Sequence, residues 1–222
     1  MKIQRKSLSI LVMAALSAVV VGCTHSAETT SESATTDHSE MGHGSADVNG
    51  MDHASMDLGP ADATFDLRFL DAMMLHHEGA VVMAEEALEK SSRDEILTLS
   101  QDIIAAQQAE IAQMQEWRQA WYPTAGDELV MYHAEMNHDM PMSAEMASMM
   151  RMDMPLGAAD AEVDLRFING MIPHHEGALE MAQEVLEKSD RPELQALAEE
   201  ILAVQQEEID QMETWRKEWY GQ

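Results

Sequence analysis

An internal duplication constrains the fold of this 222-residue chain more than any other feature of its sequence. Residues 62–122 align with residues 160–220 without a gap, and more than half of the aligned residues are identical, including the blocks DLRF, HHEGA, LEKS and WR. A unit of this length that occurs twice indicates one supersecondary structure, built twice, that buries its apolar face against its own copy.

Each copy has the pattern of two consecutive helices. One face of the first helix is marked by residues at steps of three and four, namely Asp66, Phe69, Met73, His76, Ala80 and Met83. The segment SSRDE then breaks the pattern, and Ser92 and Glu95 have the spacing of a helix N-cap and its third residue. The second helix carries the stripe Ile103, Gln107, Glu110, Met114, Trp117 and Trp121. No segment of the sequence alternates as a β-strand does.

Two such hairpins make four long helices, and a single hairpin cannot cover its own apolar stripe. The sequence therefore predicts an all-α fold, a four-helix bundle over residues 62–222 in which residues 123–159 form a long connection. Two hairpins that fold separately are the alternative.

Residues 1–22 have the pattern of a secretory signal peptide, because Lys2, Arg5 and Lys6 precede an apolar stretch too short to span a bilayer. The stretch ends in VVGC, which resembles a bacterial lipobox and implies cleavage before Cys23 and lipidation of its thiol. We therefore expect a lipid-anchored protein of the bacterial cell envelope. Since Thr24 follows the cysteine, we expect the periplasmic side of the outer membrane. An ordinary signal peptide followed by an unrelated cysteine is the alternative.

Residues 23–61 are poor in large apolar side chains and rich in small and polar ones, which predicts a disordered tether. Methionines and histidines recur within it at close spacing, at His38, Met41, His43, Met51, His53 and Met56. A flexible segment with these side chains could wrap a metal ion, and compositional drift in a linker explains them equally well.

The formal net charge of −28 argues against a nucleic-acid partner and favours cations near the surface. The chain has 21 methionines and 10 histidines but one cysteine, Cys23, which lipidation would occupy. Any soft metal ligand in the mature protein must then be a methionine.

The paired histidines of each copy form the main candidate site. A turn near residues 91 and 92 places His76 level with Gln107, and Met73 level with Glu110, with an uncertainty of about one helical turn. Adjacent histidines on a helix point about 100° apart, so we expect one of each pair to face inward. With the repeat, the candidate metal ligands of the hairpins are Met73, His76, His77, Met114, Met171, His174, His175 and Met212.

A purely structural role is the alternative for this cluster, with histidines that hydrogen-bond to Glu110 and Gln107 in a core filled by methionine. The recurrence of His-His beside Met in both copies favours metal binding. Pro173 replaces Leu75 of the first copy and should kink its helix, so we expect the two sites to differ in geometry.

The segment from Met131 to Met154 contains nine methionines and two histidines, and no Leu, Ile or Val. Thioethers select Cu(I) and Ag(I) over hard cations, and imidazole also binds Cu(II). We therefore expect mobile, loosely binding ligands here, at Met131, His133, Met136, His138, Met140 and Met142. A hydrophobic flap over the bundle is the alternative, and SAEMASMMRM could form a short helix with its methionines on the bundle.

Both copies resemble the CopM-like copper-binding family in the segments MMLHHEGA, MIPHHEGA, QQAEIAQMQEW and QQEEIDQMETW, and the resemblance covers residues 62–222. It implies a ferritin-like four-helix bundle and a periplasmic or extracellular protein of copper resistance. It also implies that the eight hairpin candidates bind copper through methionine and histidine.

Copper sequestration or chaperoning, without enzymatic activity, is the function that these observations favour. If the protein delivers copper rather than only buffering it, a copper efflux system or a periplasmic copper protein is the candidate partner. A ferritin-like di-metal oxidase requires a Glu-x-x-His motif on each of two helices. No such motif occurs within the four predicted helices, and Glu135 and His138 show that spacing in the connection. A metal-free structural bundle of the envelope is the third alternative.

Overall fold

The structure is a computed structural model that describes residues 57–222. Two helical hairpins dominate it: α1 (Phe65–Lys90) with α2 (Asp94–Trp121), and α4 (Val163–Lys188) with α5 (Pro192–Tyr220). The predicted all-α bundle of duplicated hairpins is confirmed. The predicted signal peptide, the lipidation site and nearly all of the tether lie outside the described residues. Within residues 57–222, no helix has the length and apolar character needed to cross a membrane.

The two hairpins pack against each other through α1 and α4, which run antiparallel. Residues from the start of α1 share one buried core with residues from the end of α4, and a second core combines the end of α1 with the start of α4. Ala80, Ala84, Ala178 and Ala182 are fully buried in these cores. Their small side chains allow the two central helices to pack closely, which brings the middle of α1, with its histidines, to the middle of α4.

Equivalent polar contacts close both ends of the pair. Arg93, at the tip of the first hairpin, lies 3.0 Å from Asp164 at the start of α4, and its guanidinium lies 4.3 Å from the ring centre of Trp219. At the other end Arg191 lies 2.8 Å from Asp66, and it lies over the equivalent tryptophan at 4.2 Å. Equivalent residues of the two copies therefore make equivalent contacts between the hairpins.

The repeat begins earlier than the predicted residue 62. Leu58 and Leu156 are both buried, in the equivalent segments LGPADA and LGAADA. Arg68 donates to the carbonyl oxygen of Leu58 at 2.6 Å, and Arg166 donates to that of Leu156 at 2.5 Å. The prediction of a disordered tether through residue 61 is wrong at this end, because Leu58 already belongs to the core.

The connection contains regular structure, which corrects two predictions. Strands β1 (Val130–His133) and β2 (His138–Pro141) pair antiparallel, although no strand was expected. Strands of four residues are too short for alternation to stand out in a sequence. The segment expected to be mobile also has a defined fold, because the hairpin is followed by a helix that packs on α1.

That helix, α3 (Ala144–Arg151), confirms the short helix considered for SAEMASMMRM. Ser143 is its N-cap, and its hydroxyl accepts a 3.2 Å hydrogen bond from the N–H of Met146. Met150 is buried in the same core as the start of α1, so part of the methionine face lies on the bundle. Met152 follows in the left-handed conformation and ends the helix.

Candidate metal centre

The first histidine of each pair meets its repeat equivalent at the centre of the molecule. The ring centres of His76 and His174 lie 3.8 Å apart, at the contact between α1 and α4, and both side chains are fully buried. We call His76, His77, His174 and His175 the histidine centre. The prediction that one histidine of each pair faces inward is consistent with this arrangement.

The second histidine of each pair turns toward the other helix of its own hairpin. His77 Nε2 lies 2.6 Å from Glu110 Oε2 on α2, and His175 Nε2 lies 2.7 Å from Glu208 Oε2 on α5. Both imidazoles are fully buried, while the carboxylates are partly exposed. The duplication therefore produces two equivalent His–Glu pairs.

These carboxylates fix the ring tautomers. When Glu110 accepts a hydrogen bond from Nε2–H of His77, the lone pair of the neutral ring lies on Nδ1. Nδ1 of His77 and Nδ1 of His175 are buried and have no hydrogen-bond partner within residues 57–222. A histidine whose outer nitrogen donates to a carboxylate while its other nitrogen stays free has the arrangement of a metal ligand.

The two central rings also carry free nitrogens. Among the described residues, both ring nitrogens of His76 and Nδ1 of His174 lack a hydrogen-bond partner. A buried polar atom without a partner costs about 1–3 kcal/mol. The side-chain oxygens of Gln107 and Gln205, on the second helix of each hairpin, are also buried without a hydrogen-bond partner among the described residues.

Burial keeps the central imidazoles neutral. It lowers the pKa of His76 well below its ordinary value, and the other three histidines lower it further. Burial also lowers the pKa of His174 to about 3, and repulsion from His175 and His77 adds to the effect. Neutral imidazole is the form that binds metal ions, so these rings need not lose a proton first.

The candidate methionines lie in the cores beside the histidines. Met73 and Met114 share one core, Met171 and Met212 share the other, and all four are fully buried. The contact between His77 and Glu110 shifts the hairpin register by one turn from the predicted one. Met73 therefore lies level with Met114, and Glu110 lies level with His77. This differs from the predicted pairing of Met73 with Glu110 by about one helical turn, the uncertainty given for that prediction.

Thioether sulfur is needed to complete a metal site here. No three His, Cys, Asp or Glu side chains in the described part of the chain are arranged to hold one ion. Two imidazoles that share an ion at about 2 Å have ring centres about 5–6 Å apart, so the 3.8 Å between His76 and His174 describes two rings in direct contact, with their planes tilted by 44°. A chemically suitable ligand set combines an imidazole with the methionines of its own core, which suits Cu(I) and Ag(I).

The connection breaks the symmetry of the centre. The carbonyl oxygen of Arg151 accepts a 3.1 Å hydrogen bond from His174 Nε2, and no such partner reaches His76 within residues 57–222. Gly79 allows this approach, because a Cβ atom there would lie 1.8 Å from the Arg151 carbonyl oxygen. The expected difference between the two sites is found in this contact, which the connection supplies. Pro173 lies inside α4, which continues as a helix to Lys188.

The six candidates of the connection are distributed by the β-hairpin. Met131 is the cross-strand partner of Met140, and His133 is the partner of His138. Met136 lies in the turn and is 55% exposed. The remaining candidate, Met142, follows β2 and packs against the core at the start of α1. The structure thus brings four of the six together.

Sequence reasoning missed the role of Arg151, whose carbonyl, rather than its side chain, contacts the histidine centre. The signal for it is Gly79, a glycine inside a helix next to a histidine pair, which often marks a close approach of another backbone. Glu110 was considered only as a structural partner, and the duplication extends that role to Glu208.

The fold and the site define a class of small proteins: duplicated helical hairpins that enclose buried histidines and methionines. The chain belongs to the family described as "Domain of unknown function (DUF305)", whose model matches residues 23–118 and 66–216.

Solved structures of the same class support this assignment. The chain is similar to CopM in its Cu(II)-bound form, with 35% identity and a TM-score of 0.56 over 70% of this chain and 97% of that one. CopM has also been solved in Cu(I)-bound and Ag-bound forms. A DUF305 fragment from Deinococcus radiodurans is 30% identical, with a TM-score of 0.55 and coverage of 70% and 97%.

A shorter match exists to the uncharacterized protein L153 of Acanthamoeba polyphaga mimivirus. It is 39% identical over 49 residues, which are 22% of this chain and 32% of that protein. The match adds no functional information.

Proposed function

We propose that this protein binds copper in the bacterial cell envelope and serves in metal sequestration, chaperoning or resistance. Cu(I) is the main cargo, and Ag(I) and Cu(II) are further ions that its ligands suit. The relatives whose structures contain Cu(I), Cu(II) and Ag support the choice of metal. Lipid anchoring through Cys23, on the periplasmic side of the outer membrane, is part of the proposal.

One observation carries the proposal. Five buried imidazole nitrogens of the histidine centre have no hydrogen-bond partner among the described residues, and they lie between two cores that contain buried candidate methionines. A core built only for stability would avoid unpaired polar atoms of this kind. A soft cation that binds some of these nitrogens together with thioether sulfur removes the cost.

The experiment that tests this function is an anaerobic Cu(I) titration of the full chain against a chromophoric chelator, with Zn(II) and Fe(II) as comparison metals. Replacing all four residues of the histidine centre by alanine should abolish the tightest class of Cu(I) binding. The matched control replaces four histidines of the tether region: His25, His38, His43 and His53. Circular dichroism checks that both variants remain helical.

If the variant of the histidine centre keeps the tightest affinity of the unchanged chain, these histidines are core residues and the site assignment is wrong. If the unchanged chain ignores Cu(I) and Ag(I), the metal-free structural bundle becomes the better account. Turnover of Fe(II) with oxygen would favour a di-metal oxidase. That alternative has little support, because Glu135 and His138 lie in the β-hairpin and its turn, outside the four long helices.

A further inference from the structure

The β-hairpin of the connection sorts its side chains onto two faces. The register pairs Met131 with Met140 and His133 with His138. Side chains alternate along a strand and cross-strand partners share a face, so these four side chains lie on the same face. Two methionines and two histidines are thereby placed next to each other by backbone pairing alone.

The opposite face of the hairpin fixes it to α1. Asp139 accepts a 2.7 Å hydrogen bond from Arg68, whose side chain is 1% exposed. The ring of Tyr132 packs against Gly59, where a Cβ atom would lie 2.4 Å from Tyr132 Cγ. The hairpin is therefore anchored by a buried cation, and its other face is presented by a formed scaffold with a small ordering cost on binding.

The two imidazoles are already close to a shared-ligand geometry. The ring centres of His133 and His138 lie 6.5 Å apart, and two imidazoles that bind one ion at about 2 Å have centres about 5–6 Å apart. Nδ1 of His133 accepts a long, 3.3 Å hydrogen bond from the N–H of Met136. A metal ion can replace this weak bond after a small side-chain movement.

This face is open to solvent. His138 is exposed, and Met131, His133 and Met140 are partly exposed, whereas every residue of the histidine centre is fully buried. All four ligands of the face are neutral when bound, which suits a monovalent cation, and thioethers select soft ions. The strongly acidic chain attracts cations to such a surface.

We propose that Met131, His133, His138 and Met140 form a second, surface site for a soft monovalent cation, Cu(I) or Ag(I). This inference rests on the proposed function, since it assigns one more site to a copper-binding protein. The site differs from the predicted mobile ligands because the hairpin forms it, and it excludes Met136 and Met142.

The test is an Ag(I) titration of the full chain labelled with ¹³C in the methionine methyl groups, followed by NMR and by Ag(I) stoichiometry. The methyl signals of Met131 and Met140 should shift together. The double variant Met131→Leu/Met140→Leu should bind one Ag(I) fewer per chain. The matched control, Met136→Leu/Met149→Leu, also removes two thioethers, from side chains that are 55% and 46% exposed, and should keep the full stoichiometry.

His138→Gln is a milder variant that leaves the methionines in place. It should uncouple the two methyl shifts, even if the double leucine variant disturbs the hairpin. Unchanged stoichiometry in the double variant, or an equal loss in the control, would overturn the surface site while leaving the histidine centre as a binding site. Absence of Ag(I) and Cu(I) binding by the unchanged chain would instead overturn the proposed function itself.

Discussion

At the scale of single residues, the histidine centre combines groups that a stable core normally avoids. His77 and His175 are held by carboxylates at 2.6 and 2.7 Å, and their Nδ1 atoms stay unpaired among the described residues. His76 and His174 are kept neutral by burial. Rings held in one orientation, with a free lone pair and no proton to lose, are prepared for a metal ion.

The carboxylate partners should matter for metal affinity through the histidines that they orient. Replacing both Glu110 and Glu208 by glutamine exchanges the charged acceptors of His77 and His175 for weaker, neutral amides, and we expect Cu(I) affinity to fall about 10- to 100-fold. Chelator competition measures the change. The matched control is Glu116→Gln/Glu207→Gln, at two exposed residues of α2 and α5, and an equal loss in this control would show that only net charge is involved.

The metal-free protein should lose stability in mild acid. The folded-state pKa of His174 is about 3 and that of His76 is also depressed. A histidine of the unfolded chain has a pKa of about 6.5, so below this pH the unfolded chain binds protons that the folded chain does not. The contribution of His174 is complete above pH 6.5 and is lost progressively as the pH falls toward 3, and that of His76 changes in the same direction. At pH 5.5 the loss is about 1 kcal/mol for each histidine.

Urea unfolding of the metal-free chain at pH 7.5 and 5.5 measures this loss. The variant His76→Gln/His174→Gln should show a smaller drop in the free energy of unfolding between these pH values than the unchanged chain. The matched variant His133→Gln/His138→Gln should show the full drop. Equal drops in all three chains would contradict the assignment of neutral, buried imidazoles.

At the scale of elements, the duplicated sequence extends to the segment just before each hairpin. LGPADA and LGAADA precede α1 and α4, and Arg68 and Arg166 clamp them by hydrogen bonds to their carbonyl groups. Each of these two segments contains a single buried leucine among residues of low hydrophobicity, so its sequence does not indicate a core residue. One apolar residue held by a distant arginine leaves no periodic signal.

Leu58 should therefore contribute to folding as a core residue does. Leu58→Ala should lower the free energy of unfolding by about 2–5 kcal/mol, since the side chain is 3% exposed. Thermal or urea unfolding measures the change, with Val82→Ala, at a residue that is 48% exposed, as a control expected to be near neutral. A neutral Leu58→Ala would support the original prediction of a tether that reaches residue 61.

The helices and the inward-facing histidines could be predicted because helical periodicity and a gapless repeat indicate them. The register was predicted to within one turn, since turn length alone does not fix how His77 meets Glu110. The β-hairpin and the backbone contact of Arg151 with His174 could not be predicted, because they depend on tertiary anchoring by Arg68 and on space left at Gly79.

At the scale of the whole molecule, duplication supplies two equivalent halves and the connection makes them unequal. Arg93 and Arg191 close the ends of the pair in the same way. The connection packs on α1 and supplies the carbonyl oxygen of Arg151, which accepts a hydrogen bond from His174. His76 has no such partner within residues 57–222. The proposed binding sites thus differ in access, with a buried centre between the hairpins and an open face on the connection.

The proposed attachment to the envelope concerns the whole chain. If Cys23 is lipidated, Cys23→Ser should move the protein from the membrane fraction to the soluble fraction or leave its leader uncleaved. Fractionation and mass spectrometry of the purified protein measure both outcomes, with Ser26→Ala as a neighbouring control. Normal processing and membrane retention of the Cys23→Ser protein would contradict the lipid anchor.

The central claim is that the buried histidines and methionines bind copper together. Anomalous diffraction at the copper edge, from crystals of the full chain loaded anaerobically with one equivalent of Cu(I), tests it most directly. We expect a copper peak inside the bundle, bonded to an imidazole nitrogen of the histidine centre and to a core methionine such as Met73 or Met171. Copper found only on the surface, with the four buried imidazoles unchanged, would contradict it.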